Sequence, residues 1–374
     1  MVCTGCGAPL QMDDEQERGY VTAEAFMREH PLCQRCYRLI HYGQLAKTNV
    51  TQEEYRTAVM RVLAKPSLVL YVVDLFDFNG SLVRGMAGVL KNHEVVLVAN
   101  KYDLLPHGTS MDKVASWLWR EARRAGLEPK QIHLVSAKTG FGMDSVVATV
   151  QERSRDRNVV VMGMANVGKS SVLNSLMRAL DPDEQTESFT TSPFPGTTLG
   201  ALTMKMKGTG IVITDTPGLL GTFRLQDRVC ADSLKQIVPK DRIRPRNYQL
   251  NIAQTLFLAG LVRMDFIGGQ AQPFVVYVAN QLYIHRTKLD NADNVYRSQM
   301  GKLLNPPCDT CDSSLRQLTS KRVGFKEGRP VDVVIPGLGW IRLSGKEVQL
   351  VVHYPQGVEI AVRPALIGNG RVRL

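Results

Sequence analysis

The run Gly163-Met164-Ala165-Asn166-Val167-Gly168-Lys169-Ser170 has the spacing G-x-x-x-x-G-K-[ST], which suits one chemistry, the cradling of a nucleotide's phosphates. Backbone N–H groups from Asn166 through Ser171 would surround the β-phosphate, Lys169 would reach the β and γ oxygens, and the Ser170 hydroxyl would bind Mg2+. Farther along, Asp215-Thr216-Pro217-Gly218 offers a carboxylate able to hold the same Mg2+ through water, and a Gly218 N–H able to meet a γ-phosphate. Between the two lies Pro195-Gly196-Thr197-Thr198 in a loop-like stretch. A threonine there can close over magnesium only while the γ-phosphate is present, which would make the segment a switch.

Two upstream motifs address a base. Asn100-Lys101-Tyr102-Asp103 follows an apolar run, and Ser136-Ala137-Lys138 follows another. Asp103 can accept hydrogen bonds from N1–H and the 2-amino group of guanine, while the Ala137 N–H can donate to O6. Adenine lacks that complement, and the unpaired buried groups it would leave penalise ATP. Asp103 could instead simply cap the following turn. With a phosphate loop and a second base motif in the same chain, guanine is the expected base, and GTP and GDP the expected ligands.

These motifs need strand ends to hold them. Short apolar runs at Leu68 to Leu75, Val95 to Asn100, Ile132 to Ser136 and Val159 to Gly163 alternate with helical patterns such as Met111 to Ala125 and Ser171 to Leu180. That alternation predicts an α/β domain with a parallel sheet covered on both faces. Leu199 to Lys205 and Gly210 to Asp215 read as an antiparallel edge hairpin. After Thr222 the alternation stops. A basic, loop-like stretch with Arg242, Arg244 and Arg246 leads into β-branched and aromatic runs, from Leu256 to Ile267 through Val358 to Val362, that predict a separate β-rich domain. The polar segment from about Asp290 to Arg316 reads as a helix and a long loop. The expected division is 1–45, 46–221 and 222–374.

Cys3, Cys6, Cys33 and Cys36 form two C-x-x-C pairs separated by 26 residues, which suits a closed four-thiolate zinc site, with a redox pair as the alternative. Arg35, Arg38 and His41 beside the second pair could face phosphates or solvent. A third pair, Cys308 and Cys311, has no second knuckle in sequence and would need ligands from elsewhere, such as His285 or His353. Cys230 reads as a small buried side chain.

With 374 residues, 44% hydrophobic and 22% charged, the chain has the composition of an ordinary globular protein of two or three domains. A formal net charge of +11 suggests a polyanionic partner, or no more than solubility. Basic residues interleaved with aromatics in the C-terminal part, Tyr277, Tyr283, His285, Arg286, Trp340, Arg342, Arg363, Arg371 and Arg373, point to RNA rather than DNA. Tyr277 and Trp340 lie on apolar runs and read equally well as core. The N-terminus lacks a basic patch followed by an apolar run, and no stretch approaches about 18 apolar residues, so a soluble cytoplasmic protein without a membrane partner is expected.

The base motifs precede the phosphate loop, the reverse of the Ras-like order. In that order, and with the cysteine pairs ahead of Val73-Asp74-Leu75-Phe76-Asp77-Phe78-Asn79-Gly80-Ser81, the chain resembles the YqeH family of circularly permuted GTPases, related to the plant and mitochondrial nitric-oxide-associated GTPases. The resemblance spans essentially the whole chain and implies GTP hydrolysis coupled to assembly of the small (30S) ribosomal subunit, with rRNA or ribonucleoprotein as partner. By comparison with similar switch loops it favours Thr198 over Thr197 as the magnesium ligand. Asn166 occupies the position at which similar cation-dependent GTPases bind K+, or else only hydrogen-bonds its own loop. Leu219 stands where Ras-like enzymes carry the water-orienting glutamine, so slow intrinsic turnover is expected.

Overall fold

The structure, a computed structural model, describes the chain except for residues 2, 4–7, 16, 18, 29–30, 35–36, 38–51, 155–156, 181–200, 207–208, 217 and 369–374. Cys6, Cys36, Arg35, Arg38, His41, Pro195 to Thr198, Pro217, Arg371 and Arg373 therefore lie outside the described residues. The chain divides into two compact units, Met1–Tyr102 with Ala115–Leu220, and Asp103–Val114 with Gly221–Leu374.

The first unit is built on six strands: β1 (Leu68–Asp74), β2 (Glu94–Asn100), β3 (Gln131–Leu134), β4 (Val159–Met162), β5 (Leu202–Lys205) and β6 (Val212–Asp215). Their order across the sheet is β3-β2-β1-β4-β6-β5. All pairings are parallel except β5 with β6, the expected edge hairpin. Every residue of β1, Leu-Val-Leu-Tyr-Val-Val-Asp, is buried. A strand covered on both faces has no solvent side, and its sequence is accordingly a continuous apolar run rather than an alternating one. The phosphate-loop helix Lys169–Leu180 buries Val172, Leu173, Leu176 and Leu180, one helical stripe. Helix Gln52–Val62 precedes β1 and buries Tyr55, Ala58 and Val59 at the same kind of spacing.

The second unit holds ten further strands in two five-stranded antiparallel sheets. They are β7 (Arg246–Leu250), β8 (Gln254–Leu258), β9 (Val262–Gly269), β10 (Gln272–Val278), β11 (Ile284–Lys288), β12 (Leu318–Phe325), β13 (Val331–Ile335), β14 (Gly339–Leu343), β15 (Val348–Pro355) and β16 (Ala361–Pro364). One sheet runs β16-β13-β14-β10-β7 and the other β11-β8-β9-β15-β12. Both contribute to a single core that includes Leu256, Phe266, Phe274, Ile341 and Leu350. The apolar run from Leu256 to Ile267 is two strands, β8 and β9, divided at Ala259, whose φ of 48° turns the chain. Two strands go unforeseen in the sequence, β7 and β12. Both are sheet edges, and β12 is mostly exposed, with Thr319 to Arg322 facing solvent, so neither shows a strong apolar period.

Helix Ala231–Ile237, not foreseen in the sequence, precedes the basic stretch read as loop-like, while Ala292–Gln299 is the expected helix of the polar segment. Tyr277 and Trp340 are core: they stack with centroids 4.9 Å apart and are 3% and 0% exposed. Arg363 is also buried, paired with Asp332 at 3.3 Å and lying 5.2 Å from the Trp340 ring centre. These three side chains are withdrawn from the RNA-facing set, whereas Tyr283 and Arg286 are exposed. No helix among the described residues is long and apolar enough to cross a membrane.

Candidate nucleotide-binding site

Because β1, β2, β3, β4 and β6 run parallel, their carboxyl ends share one edge of the sheet, and the phosphate loop and the motifs at Asn100, Ser136 and Asp215 leave from such ends. The register brings those ends level: Asp74 pairs with Asn100, Tyr71 with Met162, Ala99 with Leu134, and Val161 with Asp215. The crevice beyond strand ends is where open α/β sheets bind ligands.

The phosphate loop turns tightly at two glycines. A Cβ on Gly163 would come within 2.5 Å of the Val72 carbonyl oxygen, and one on Gly168, at φ 86°, within 2.2 Å of the Asn100 amide nitrogen. Met164 and Leu219 form a parallel bridge, with the Ala165 N–H donating to the Leu219 carbonyl at 2.8 Å. That contact ties the loop to the segment carrying Gly218, whose α-carbon faces the Ala165 backbone closely. The Leu219 side chain is buried at 3% exposure. Asn166 adopts a φ of 64°, a region that asparagine tolerates better than most side chains, and it is exposed.

Asn100 is a strut rather than a free recognition arm. Its amide nitrogen donates to the Val167 carbonyl and its amide oxygen accepts the Ala137 N–H, both at 3.0 Å. Buried to 3% exposure, it clamps the Ser136-Ala137-Lys138 loop to the phosphate loop. Ser136 closes its own turn, its hydroxyl accepting from the Thr139 N–H at 3.3 Å. Lys138 and Ser171 are exposed and Ser170 half-buried. Lys101, at φ 68°, donates through Nζ to the Asn166 carbonyl at 2.7 Å and to Asp74 at 2.5 Å. Lys169 and Asp215 form a buried ion pair, with side chains 4% and 3% exposed. The two charges assigned by sequence to phosphate and magnesium thus neutralise each other.

Asp103 belongs to the second unit. It sits half-buried in the short helical turn Tyr102–Leu104, and its carbonyl accepts from Arg242 Nε at 3.4 Å.

Two residues of the site were not singled out as functional in sequence. Asp74 ends an otherwise apolar strand, 2% exposed, where it accepts from the Phe76 N–H at 2.9 Å and holds Lys101. The legible signal was a carboxylate closing an all-apolar strand. Tyr55 is fully buried, and burial pushes its phenol up to about 12, with Asp215 and the Gly163 backbone among its neighbours. Only its helical apolar spacing marked it. Asp74→Ala is expected to destabilise the protein by about 2–3 kcal/mol, less than a fully buried pair because Lys101 is 22% exposed, and to weaken GDP binding about tenfold. Urea unfolding and GDP titration measure both, and an unchanged variant would show the strut contributes nothing.

A parallel sheet with these motifs at its strand ends, base strands preceding the phosphate strand in the chain, defines a circularly permuted P-loop GTPase. Residues 158–255 match the family described as 50S ribosome-binding GTPase, and residues 271–366 the family described as YqeH-like, C-terminal. The uncharacterized protein YqeH of Bacillus subtilis (strain 168) is 35% identical over 98% of this chain and 99% of its own length. NO-associated protein 1, chloroplastic/mitochondrial, of Arabidopsis thaliana is 30% identical over 97% of this chain and 76% of its own length. This chain belongs to the YqeH family, and it is a GTP hydrolase.

Proposed function

We propose that this GTPase is a nucleotide-timed switch in assembly of the small ribosomal subunit, acting through rRNA or ribonucleoprotein in the cytoplasm. The observation that supports it most is the convergence of the base motifs at Asn100 and Ser136, the phosphate loop and Asp215 on one sheet edge, in a chain whose C-terminal unit also matches its family. In this reading residues 1–45 form a zinc finger, 46–221 the GTPase domain and 222–374 the RNA- or protein-binding domain.

The roles follow from the chemistry of each group. Backbone N–H groups of Asn166 to Ser171 hold the β-phosphate, and Lys169 exchanges Asp215 for the phosphate oxygens. Asp103 accepts from the guanine edge, and the Ala137 N–H is shared between Asn100 and O6. The oxygen donors Ser170, Asp215 and Thr198 suit Mg2+, which when bound neutralises charge on the β and γ oxygens. Gly218 donates its N–H to the γ-phosphate. With a buried leucine at position 219, no side chain there orients water, so turnover is slow without a stimulus. Asn166, exposed on the phosphate loop, binds K+ in place of an arginine finger. Hydrolysis is therefore expected to run at least about tenfold faster in K+ than in Na+, and equal rates under steady-state assay would discard the potassium role.

At the N-terminus, Cys3 and Cys33 are buried side by side, and the Cys33 N–H donates to Cys3 Sγ at 3.1 Å. An amide aimed at sulfur favours a thiolate, which fits a zinc site completed by Cys6 and Cys36.

The direct test is co-sedimentation of the full chain with isolated small and large subunits, in a GTP analogue and in GDP, over a potassium chloride series. Small-subunit binding that depends on nucleotide and weakens with salt is the expected result. Binding to large subunits only would transfer the partner to the particle named by the matching GTPase family. Binding to neither would favour a GTP-responsive scaffold for protein partners.

A further inference from the structure

We propose that Cys230, Cys308 and Cys311 form a zinc site inside the C-terminal unit, distinct from the N-terminal cysteines. Cys308 and Cys311 close a C-x-x-C turn in which the Cys311 N–H donates to the Cys308 carbonyl at 3.2 Å. Cys230, 78 residues earlier in the chain, arrives at the same point, its sulfur 3.2 Å from that of Cys308 and its N–H donating to Cys311 Sγ at 3.4 Å. The Cys308 and Cys311 sulfurs are 3.6 Å apart, and all three lie within 4.8 Å of one another. Thiolates around tetrahedral zinc at about 2.3 Å sit about 3.8 Å apart, so a small adjustment of this triangle accommodates the ion.

The surroundings distinguish a ligand set from three small residues filling a gap. Ser233, fully buried, places its hydroxyl 3.3 Å from Cys308 Sγ and 3.2 Å from Cys311 Sγ. Thr310 places its hydroxyl 3.1 Å from Cys308 Sγ and 3.3 Å from Cys230 Sγ. Apolar packing gives no reason for two hydroxyls to converge on sulfur, whereas metal-bound thiolates are commonly supported by such outer hydrogen bonds. His353 is engaged with Asp265 at 3.0 Å, and His285 lies beside Tyr283, so neither supplies the ligand that the C-x-x-C pair lacks in sequence. Among the described residues no fourth Cys, His, Asp or Glu joins the cluster, and Cys230 and Cys308 are half-buried, which leaves the fourth position open to a solvent water. Each thiol releases its proton to solvent as zinc binds. The ion then staples the segment leading into helix Ala231–Ile237 to the loop before β12.

The full chain, purified under reductant and equilibrated with zinc chloride, tests this by elemental analysis. Wild type is expected to carry one more zinc per chain than the Cys308→Ser/Cys311→Ser variant, and the Cys3→Ser/Cys33→Ser variant is expected to keep that equivalent. Equal zinc in wild type and the Cys308→Ser/Cys311→Ser variant overturns the site. Should that variant fail to fold, alkylation of the wild-type chain decides: Cys230, Cys308 and Cys311 are expected to be shielded from iodoacetamide until a chelator is added. Equal labelling with and without chelator, or a Cys308–Cys311 disulfide in the reductant-treated chain, overturns the proposal.

Discussion

Lys169→Ala is expected to weaken GDP and GTP binding about 10²–10⁴-fold, since each charge-assisted hydrogen bond lost to a phosphate oxygen is worth about 1.5–3 kcal/mol and the proposed role has Lys169 reach two of them. The substitution also harms the free protein. It strands the Asp215 carboxylate, 3% exposed, without its cation, and breaking a buried pair from one side costs about 3–5 kcal/mol. The two effects separate in the variant Lys169→Ala/Asp215→Asn, which removes both charges. It is expected to regain most of the lost stability in urea unfolding while still failing to bind a fluorescent GDP analogue. Affinity retained within about threefold in the single variant would overturn the phosphate role of Lys169.

Asp103→Asn is expected to cost about 10²–10⁴-fold in GTP affinity, because the two hydrogen bonds from guanine that the proposed role gives its carboxylate would meet a mismatched amide. Xanthine carries a carbonyl where guanine carries the 2-amino group, and the new amide can donate to it. Affinity for xanthosine triphosphate is expected to rise as that for GTP falls, and competition between the two nucleotides measures both. Asp103 is half-buried in a short helical turn, so a purely local capping role remains a distinct outcome. In that case GTP affinity would be unchanged and only stability would fall, by about 1 kcal/mol.

The parallel-sheet half was legible because its strands are buried on both faces and its motifs sit at strand ends. Runs such as Leu68 to Asp74 and Val95 to Asn100 have no reading other than strand once helices flank them. The edge strands β7 and β12 were not legible. Exposed polar residues at Thr319 to Arg322 carry no apolar period, and their pairing with β15 is visible only in three dimensions. The partition of aromatics was equally hidden. Tyr277 and Trp340 alternate with apolar residues just as surface-stacking rings would, and it is their stacking against each other that places them in the core.

What the sequence by itself determined is the chemistry of the nucleotide motifs and their permuted order, since both depend on residue type and short spacing. Tertiary structure decided which groups meet. Asn100 became a clamp between two loops, Asp74 an anchor for Lys101, and Lys169 the partner of Asp215, each through contacts spanning 27 to 67 residues of chain. Cys230 likewise joined Cys308 and Cys311 only because the fold closes a loop of 78 residues. Local spacing registers no such closure, because the contacts that repay it are formed by the packed core and not by neighbours in sequence.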